Sequence, residues 1–152
     1  MNYGLVDVHL QPDGRTFVNT YVRDSKGGWV LHGLPFVPND ATDADAFGQA
    51  VIDALHASST TVVPAQNYRT NPPDQAFLAW VGAPSYAEYM KGVRAVLAHD
   101  FVDGTPIISS LRNRNGGARS GFEPMREHRV KLDWSADEVG AVVQAALEGA
   151  TA

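Results

Sequence analysis

Two stretches of this sequence repeat one pattern of apolar residues. Phe47-Gly48-Gln49-Ala50-Val51 to Ala54-Leu55 matches Val139-Gly140-Ala141-Val142-Val143 to Ala146-Leu147, position for position. Spacings of three and four residues place each set on one face of an α-helix, and each helix must bury that stripe against another element. Most of the remaining chain reads as strands, so the expected partner is a sheet. Each helix also follows a strand-like segment containing a histidine, His32 or His128. One reading is a duplicated strand–helix unit, with the glycine allowing close approach to the sheet. The other is convergence, because any small helix packing on a sheet selects Ala, Val and Leu. Both predict the same packing.

The strand signals begin at the N-terminus. Leu5, Val8 and Leu10 interleave with Asp7 and His9, and Pro12-Asp13-Gly14 supplies a turn. Thr16 to Arg23 is β-branched and aromatic, Ser25-Lys26-Gly27-Gly28 turns the chain again, and Trp29 to His32 starts a third strand. A three-strand meander is the simplest arrangement. Thr60 to Val63 reads as a short strand, 65–74 as a polar loop, and Phe77 to Val81 as a central strand, too apolar for an exposed one. Val93 to Phe101 and Ile107 to Leu111 form a pair across the hairpin dipeptide Asp103-Gly104. Arg129 to Leu132 supplies a last short strand.

Helix starts are marked by side chains that accept from otherwise orphaned amides. Asp40, Thr42, Asp43 and Asp45 put oxygens and negative charge at the start of the 43–57 helix. Ser85-x-x-Glu88 and Ser135-x-x-Glu138 are capping boxes for a short helix ending at Gly92 and for the 135–148 helix, with Trp134 placed to staple onto Val139. The tail Gly149 to Ala152 is expected to fray. The fold class is therefore α+β: one domain over residues 1–152. A largely antiparallel sheet of six to eight strands carries two main amphipathic helices and one short helix.

Composition removes several function classes. With no cysteine there is no disulfide framework, thiolate chemistry or Cys-ligated metal. The five histidines (His9, His32, His56, His99 and His128) show no metal-binding spacing, and His56 suits the carbonyl end of its helix. No nucleophile elbow, P-loop or dinucleotide fingerprint occurs, and the acids crowd into helix starts where capping already explains them. No catalytic residue, metal or cofactor is expected, and the chain is read as a binding protein rather than an enzyme. No apolar run reaches the roughly 20 residues that cross a bilayer, and Met1 to Leu5 carries no leader signature, so a cytoplasmic location is expected. The net charge of −5 is uneven: residues 1–76 hold eight acids against four bases, residues 77–152 nine against eight. That balance disfavours nucleic acid and anionic membrane and favours a basic protein partner. Asp40, Asp45 and Asp53 are the candidates for contacting or steering it.

One feature competes. Six of the twelve bases (Arg112, Arg114, Arg119, Arg126, Arg129 and Lys131) lie within residues 112–131. With Asn115-Gly116-Gly117 in an apparent 112–122 loop, Arg112, Arg114 and Arg119 would suit an anion, nucleotide or RNA phosphate. A solvated hairpin connection accounts for the same residues. A third class, a subunit that oligomerises through a sheet edge, also stays open.

The order of segments from Pro84-Ser85-Tyr86-Ala87-Glu88-Tyr89-Met90-Lys91-Gly92 through a strand pair and Gly121-Phe122 to Trp134-Ser135-Ala136-Asp137-Glu138-Val139-Gly140 is similar to one known family. With the Ala46 to Leu55 helix, these segments resemble the CdiI-type immunity proteins of bacterial contact-dependent growth inhibition systems. The resemblance implies a small cytoplasmic antitoxin that binds the C-terminal toxin domain delivered by a neighbouring cell, often a nuclease, and blocks it. It implies no catalytic residues and fixes no contact positions.

Overall fold

A computed structural model describes residues 3–38, 40–102, 105–114, 122–130 and 134–151. The chain runs β1 (Leu5–Leu10), β2 (Thr16–Asp24), β3 (Trp29–Leu31), α1 (Ala44–Thr60), β4 (Val62–Val63), α2 (Gln75–Val81), α3 (Tyr86–Tyr89), β5 (Arg94–Val102), β6 (Thr105–Asn113), β7 (Phe122–Arg129) and α4 (Ala136–Gly149). Six strands line up as β3-β2-β1-β5-β6-β7, all antiparallel, and β4 adds a short parallel pairing to β2. This is the α+β fold expected, with seven strands and with two short helices where one was expected.

The chain order repeats. Three strands and a helix (β1-β2-β3-α1) are followed by three strands and a helix (β5-β6-β7-α4), and the two meanders join where β1 pairs antiparallel with β5, from Leu5 opposite His99 to Leu10 opposite Arg94. Because side chains alternate across a strand, β1 buries Val6 and Val8 on one face and Asp7 and His9 on the other. On the first face, Val6, Val8, Val18, Val96 and Ile108 form one core with the apolar stripes of α1 and α4. On the second face, Phe17 and Val93 pack with Phe77 of α2 and Tyr89 and Met90 of α3. The sheet is thus sandwiched between two helix pairs, which is why β1 is buried on both sides.

The two long helices also pack on each other, and their glycines serve that contact rather than the sheet. A Cβ built on Gly48 would lie 1.7 Å from the Ala136 carbonyl oxygen, and one on Gly140 would lie 1.7 Å from that of Ala44. The clash is reciprocal, so the repeated Ala-x-x-x-Gly spacing brings the two backbones together at their N-terminal turns. The N-terminal caps use the side chains the sequence indicated, whereas the short helix α3 ends at Tyr89 with Met90 as its cap and not at Gly92. Asp43 accepts from the amides of Asp45 (3.1 Å) and Ala46 (3.3 Å), Ser85 from Glu88 (3.2 Å), and Ser135 from Glu138 (3.3 Å).

Four expectations are corrected. Phe77 to Val81 is the helix α2, not a strand: Gly82 takes φ +78°, and the amides of Gly82 and Ala83 close on the Leu78 carbonyl at 2.9 and 3.0 Å. A short apolar run fits a buried strand or one helical turn equally, and the left-handed glycine after it was the deciding signal. The last strand is Phe122–Arg129 rather than 129–132; Lys131 and Leu132 lie outside the described residues. Its Pro124 and charged residues hide a strand that sits at the sheet edge, where such residues are tolerated. The 112–122 loop shrinks from both ends, because Arg112 and Asn113 finish β6 and Phe122 opens β7. The tail is also held through Thr151: Ala150 is buried, Thr151 N–H donates to the Leu111 carbonyl (3.2 Å), and Asn113 N–H donates to that of Thr151 (3.1 Å). The Asp103-Gly104 dipeptide lies outside the described residues, though Val102 pairs with Thr105 across it.

Candidate functional site

The densest polar cluster lies on the second face of the sheet. Asp7 and His9 share that face of β1, and Asn19 stands directly opposite Asp7 on β2. The Asp7 carboxylate accepts from Asn19 Nδ2 (2.8 Å) and from the Tyr21 hydroxyl (2.8 Å). The Tyr89 hydroxyl of α3 accepts from Gln11 Nε2 (2.7 Å) and shares a second hydrogen bond with His9 Nδ1, also at 2.7 Å. The other ring nitrogen, Nε2, lies 3.3 Å from Asp7 Oδ2. That distance is within ion-pair range, but among the described residues neither Nε2 nor Asn19 Oδ1 has a hydrogen-bond partner.

This cluster is sealed. His9 is 1% exposed and Asp7 7%. Burial pushes the Asp7 carboxyl up, and the His9 ring beside it together with the hydrogen bonds from Asn19 and Tyr21 outweighs that push, holding it below the usual carboxylate range. Burial first, and then the Asp7 charge, raises the Tyr21 hydroxyl far above its ordinary value; burial also raises Tyr86 and Tyr89. A histidine, a carboxylate and a tyrosine are in contact, yet no described cleft opens onto them. What the arrangement does is tie β1 and β2 to α3 through directional contacts. Three other histidines stand apart from it: His32 and His56 are exposed, and His128 Nε2 lies 3.1 Å from Ser110 Oγ. Among the described residues no group of three or more histidines and carboxylates is placed to hold a metal.

The sequence-derived surface candidates fall in two places. Asp40, Asp45 and Asp53 are all exposed, on and just before α1. Asp40 accepts from the amide (2.9 Å) and hydroxyl (2.5 Å) of Thr42, and Asp53 accepts from Gln49 Nε2 (2.8 Å). These bonds leave each carboxylate exposed on the surface, so α1 carries negative charge along its solvent side. At the other end of the sheet, Arg112 and Arg114 both pair with Glu123 on β7, at 3.1 and 2.8 Å. Those two guanidiniums therefore share one carboxylate. Arg119 lies outside the described residues.

The sequence reading passed over the segment between β3 and α1. Leu34 and Phe36 are 53% and 56% exposed, with Val37 beside them, while the Phe36 backbone exchanges two 2.9 Å hydrogen bonds with Val18 at the edge of β2. Backbone bonding holds large apolar side chains out into water, a few residues before Asp40, Asp43 and Asp45. The signal was present in Leu34-Pro35-Phe36-Val37-Pro38, an apolar run between prolines that fits neither strand nor helix. A separate open cleft of about 430 Å³ lies between β3, β4 and the 64–75 segment, edged by His32, Gln66, Tyr68, Asn71 and Gln75.

No family model matches the chain, and no curated protein matches its sequence. Solved structures share its fold, among them two. One is a protein of unknown function from Neisseria meningitidis, at a TM-score of 0.67 and 15% identity over 97% of this chain and 95% of that one. The other is a chain of a CdiA-CT/CdiI toxin and immunity complex from Yersinia pseudotuberculosis, at a TM-score of 0.67 and 17% identity over 99% of both chains. No described helix is long and apolar enough to cross a membrane.

Proposed function

We propose that this protein is a non-catalytic immunity protein that binds and neutralises a basic toxin domain of a contact-dependent growth inhibition system. The observation that carries the reading is the fold shared end to end with a chain of a toxin–immunity complex. Two features of the surface support it. Carboxylates along α1 provide a negative field, which raises encounter rates with a positive partner. Leu34, Phe36 and Val37 provide exposed apolar anchors next to that field, and tight interfaces draw most of their energy from a few such residues. The polar cluster that most resembles catalytic machinery is closed, which suits a scaffold for binding.

Co-expression tests the reading. Cells producing the toxin domain encoded beside this gene should survive only when this protein is present, and the two should co-purify in equal amounts. Lack of protection, with no complex, would remove the assignment. In the purified pair, association should slow as salt rises, because the Debye length shortens from ~10 Å at 0.1 M to ~3 Å at 1 M. Asp45→Lys with Asp53→Lys should slow it further and leave dissociation nearly unchanged.

A further inference from the structure

Helix α1 has 17 residues and no basic residue in its last turn. The carbonyl end of such a helix carries a partial negative charge that cations usually offset. This end borders a cleft of about 190 Å³. Ile52, Leu55 and Pro106 give the cleft an apolar lining, His56 and Ser59 of α1 contribute to it, and Asp100 and Trp134 complete it. The Asp100 carboxylate uses one oxygen to accept from the Gly4 amide at 2.6 Å, and its other oxygen has no partner among the described residues. Trp134 packs against the core, but among the described residues no ring stacks on its indole and no acceptor takes its N–H. Asp53, next to Ile52 on the same helix, adds another exposed carboxylate nearby.

We infer that this cleft is a socket for one arginine side chain of a protein partner. Three features favour a cation there: a carboxylate oxygen with no partner among the described residues, a helix C-terminus whose last turn holds no basic residue and whose His56 carbonyl accepts from the Ser59 and Thr60 hydroxyls, and an indole face. Arginine fits them better than lysine. Its flat guanidinium stacks on an indole, forks onto a carboxylate and gives up its weak hydration readily. The apolar lining matches the methylene stem. The volume is below the roughly 300–1,000 Å³ of pockets for free small ligands, so one side chain is the natural occupant. The inference deepens the protein-binding reading and rests on it for the partner's identity.

The test uses the intact protein, N-acetyl-arginine amide as the probe and N-acetyl-citrulline amide as its neutral isostere. The indole N–H signal of Trp134, assigned by its loss in Trp134→Phe, should shift saturably with the arginine probe. Citrulline should bind at least tenfold more weakly. Asp100→Asn keeps an oxygen for the Gly4 amide and removes the charge, so it should weaken arginine binding by at least tenfold. His56→Arg tethers a guanidinium in the cleft from an exposed position and should abolish the response even if Asp100→Asn disturbs folding. No saturable shift up to about 100 mM, where binding is worth only a factor of ten, would overturn the socket. So would equal shifts with citrulline, or a response that survives in both variants. A silent cleft in a protein that still protects cells removes the socket alone. A saturable cleft in a protein that protects against nothing removes the immunity reading alone.

Discussion

Gly48→Ala separates two forces that act in opposite directions. Helix propensity alone predicts stabilisation, because alanine is better than glycine in a helix interior by about 0.8–1.0 kcal/mol. Packing predicts the reverse. The new methyl would lie 1.7 Å from the Ala136 carbonyl oxygen, 2.7 Å from its carbon and 2.7 Å from the Gly140 amide nitrogen. These are backbone atoms, so no rotamer change relieves the overlap, and α1 and α4 must part by roughly 1.5 Å to restore contact distance. A gap of 0.5–1 Å already forfeits about a quarter to a half of a dispersion contact, so such a shift loosens Phe47, Val51, Val139 and Val143 together. Overpacking typically costs about 1–3 kcal/mol and occasionally more; a cost of about 3–5 kcal/mol for this overlap between two backbones leaves a net loss of about 2–4 kcal/mol after the propensity gain. For a domain of this size that lowers Tm by roughly 5–15 °C. Thermal and urea unfolding followed by circular dichroism measure it directly. Gly140→Ala should behave alike, and the double variant should lose less than the sum, because the first methyl already parts the helices. A Tm equal to or above that of the parent would refute the close-approach argument and leave propensity in control.

Leu55→Asp and Leu147→Asp each place an unpaired carboxylate in the core under α1 and α4, and each should lower stability by several kcal/mol in urea titrations. Tyr89→Phe removes the hydroxyl that joins Gln11 to His9; stranding two buried polar groups should cost about 1–3 kcal/mol, readable as a lower urea midpoint at unchanged slope. The Asp7 carboxyl sits below its unfolded-state value, so its contribution is present above about pH 4 and is lost as pH falls through the folded value. Stability of Asp7→Asn should therefore be lower at pH 7 and fall less steeply below pH 4 than that of the parent, and parallel acid limbs in the two proteins would exclude this role for Asp7.

The fold was legible where local rules and global packing agree. The apolar stripes of α1 and α4, their serine and aspartate caps and the first meander all follow from periodicity and turn chemistry, and each lies where those rules put it. Errors arose where one segment satisfied two rules. Phe77 to Val81 is apolar enough for a central strand, and only Gly82 marks it as a helix. β7 broke the expected pattern because an edge strand is selected against self-association as much as for burial, so its proline and charges look like loop. The contact between Gly48 and Gly140 was written in both helices as one repeated spacing, but the same spacing would also serve a helix lying on a sheet.

The polar cluster shows why sites resist this reading more than folds do. Asp7 and His9 occupy alternate positions on a strand whose intervening residues are valines, which in an antiparallel sheet signals one buried and one solvated face. That inference fails for β1 because α2 and α3 cover the second face, and nothing within Leu5–Leu10 records what lands on it. Once covered, a carboxylate must find donors, and Asn19, Tyr21 and the His9 ring converge from registers that only the assembled sheet creates. The same reasoning applies to the Trp134 cleft. Its carboxylate comes from β5, its helix end from α1 and its indole from the approach to α4, three elements far apart in sequence. Binding by such a surface leaves no motif, because a partner reads the juxtaposition and not the spacing. A chain of this kind is therefore best tested through groups its fold leaves exposed or unpaired, and among the described residues Leu34, Phe36, the second oxygen of Asp100 and the Trp134 indole are such groups.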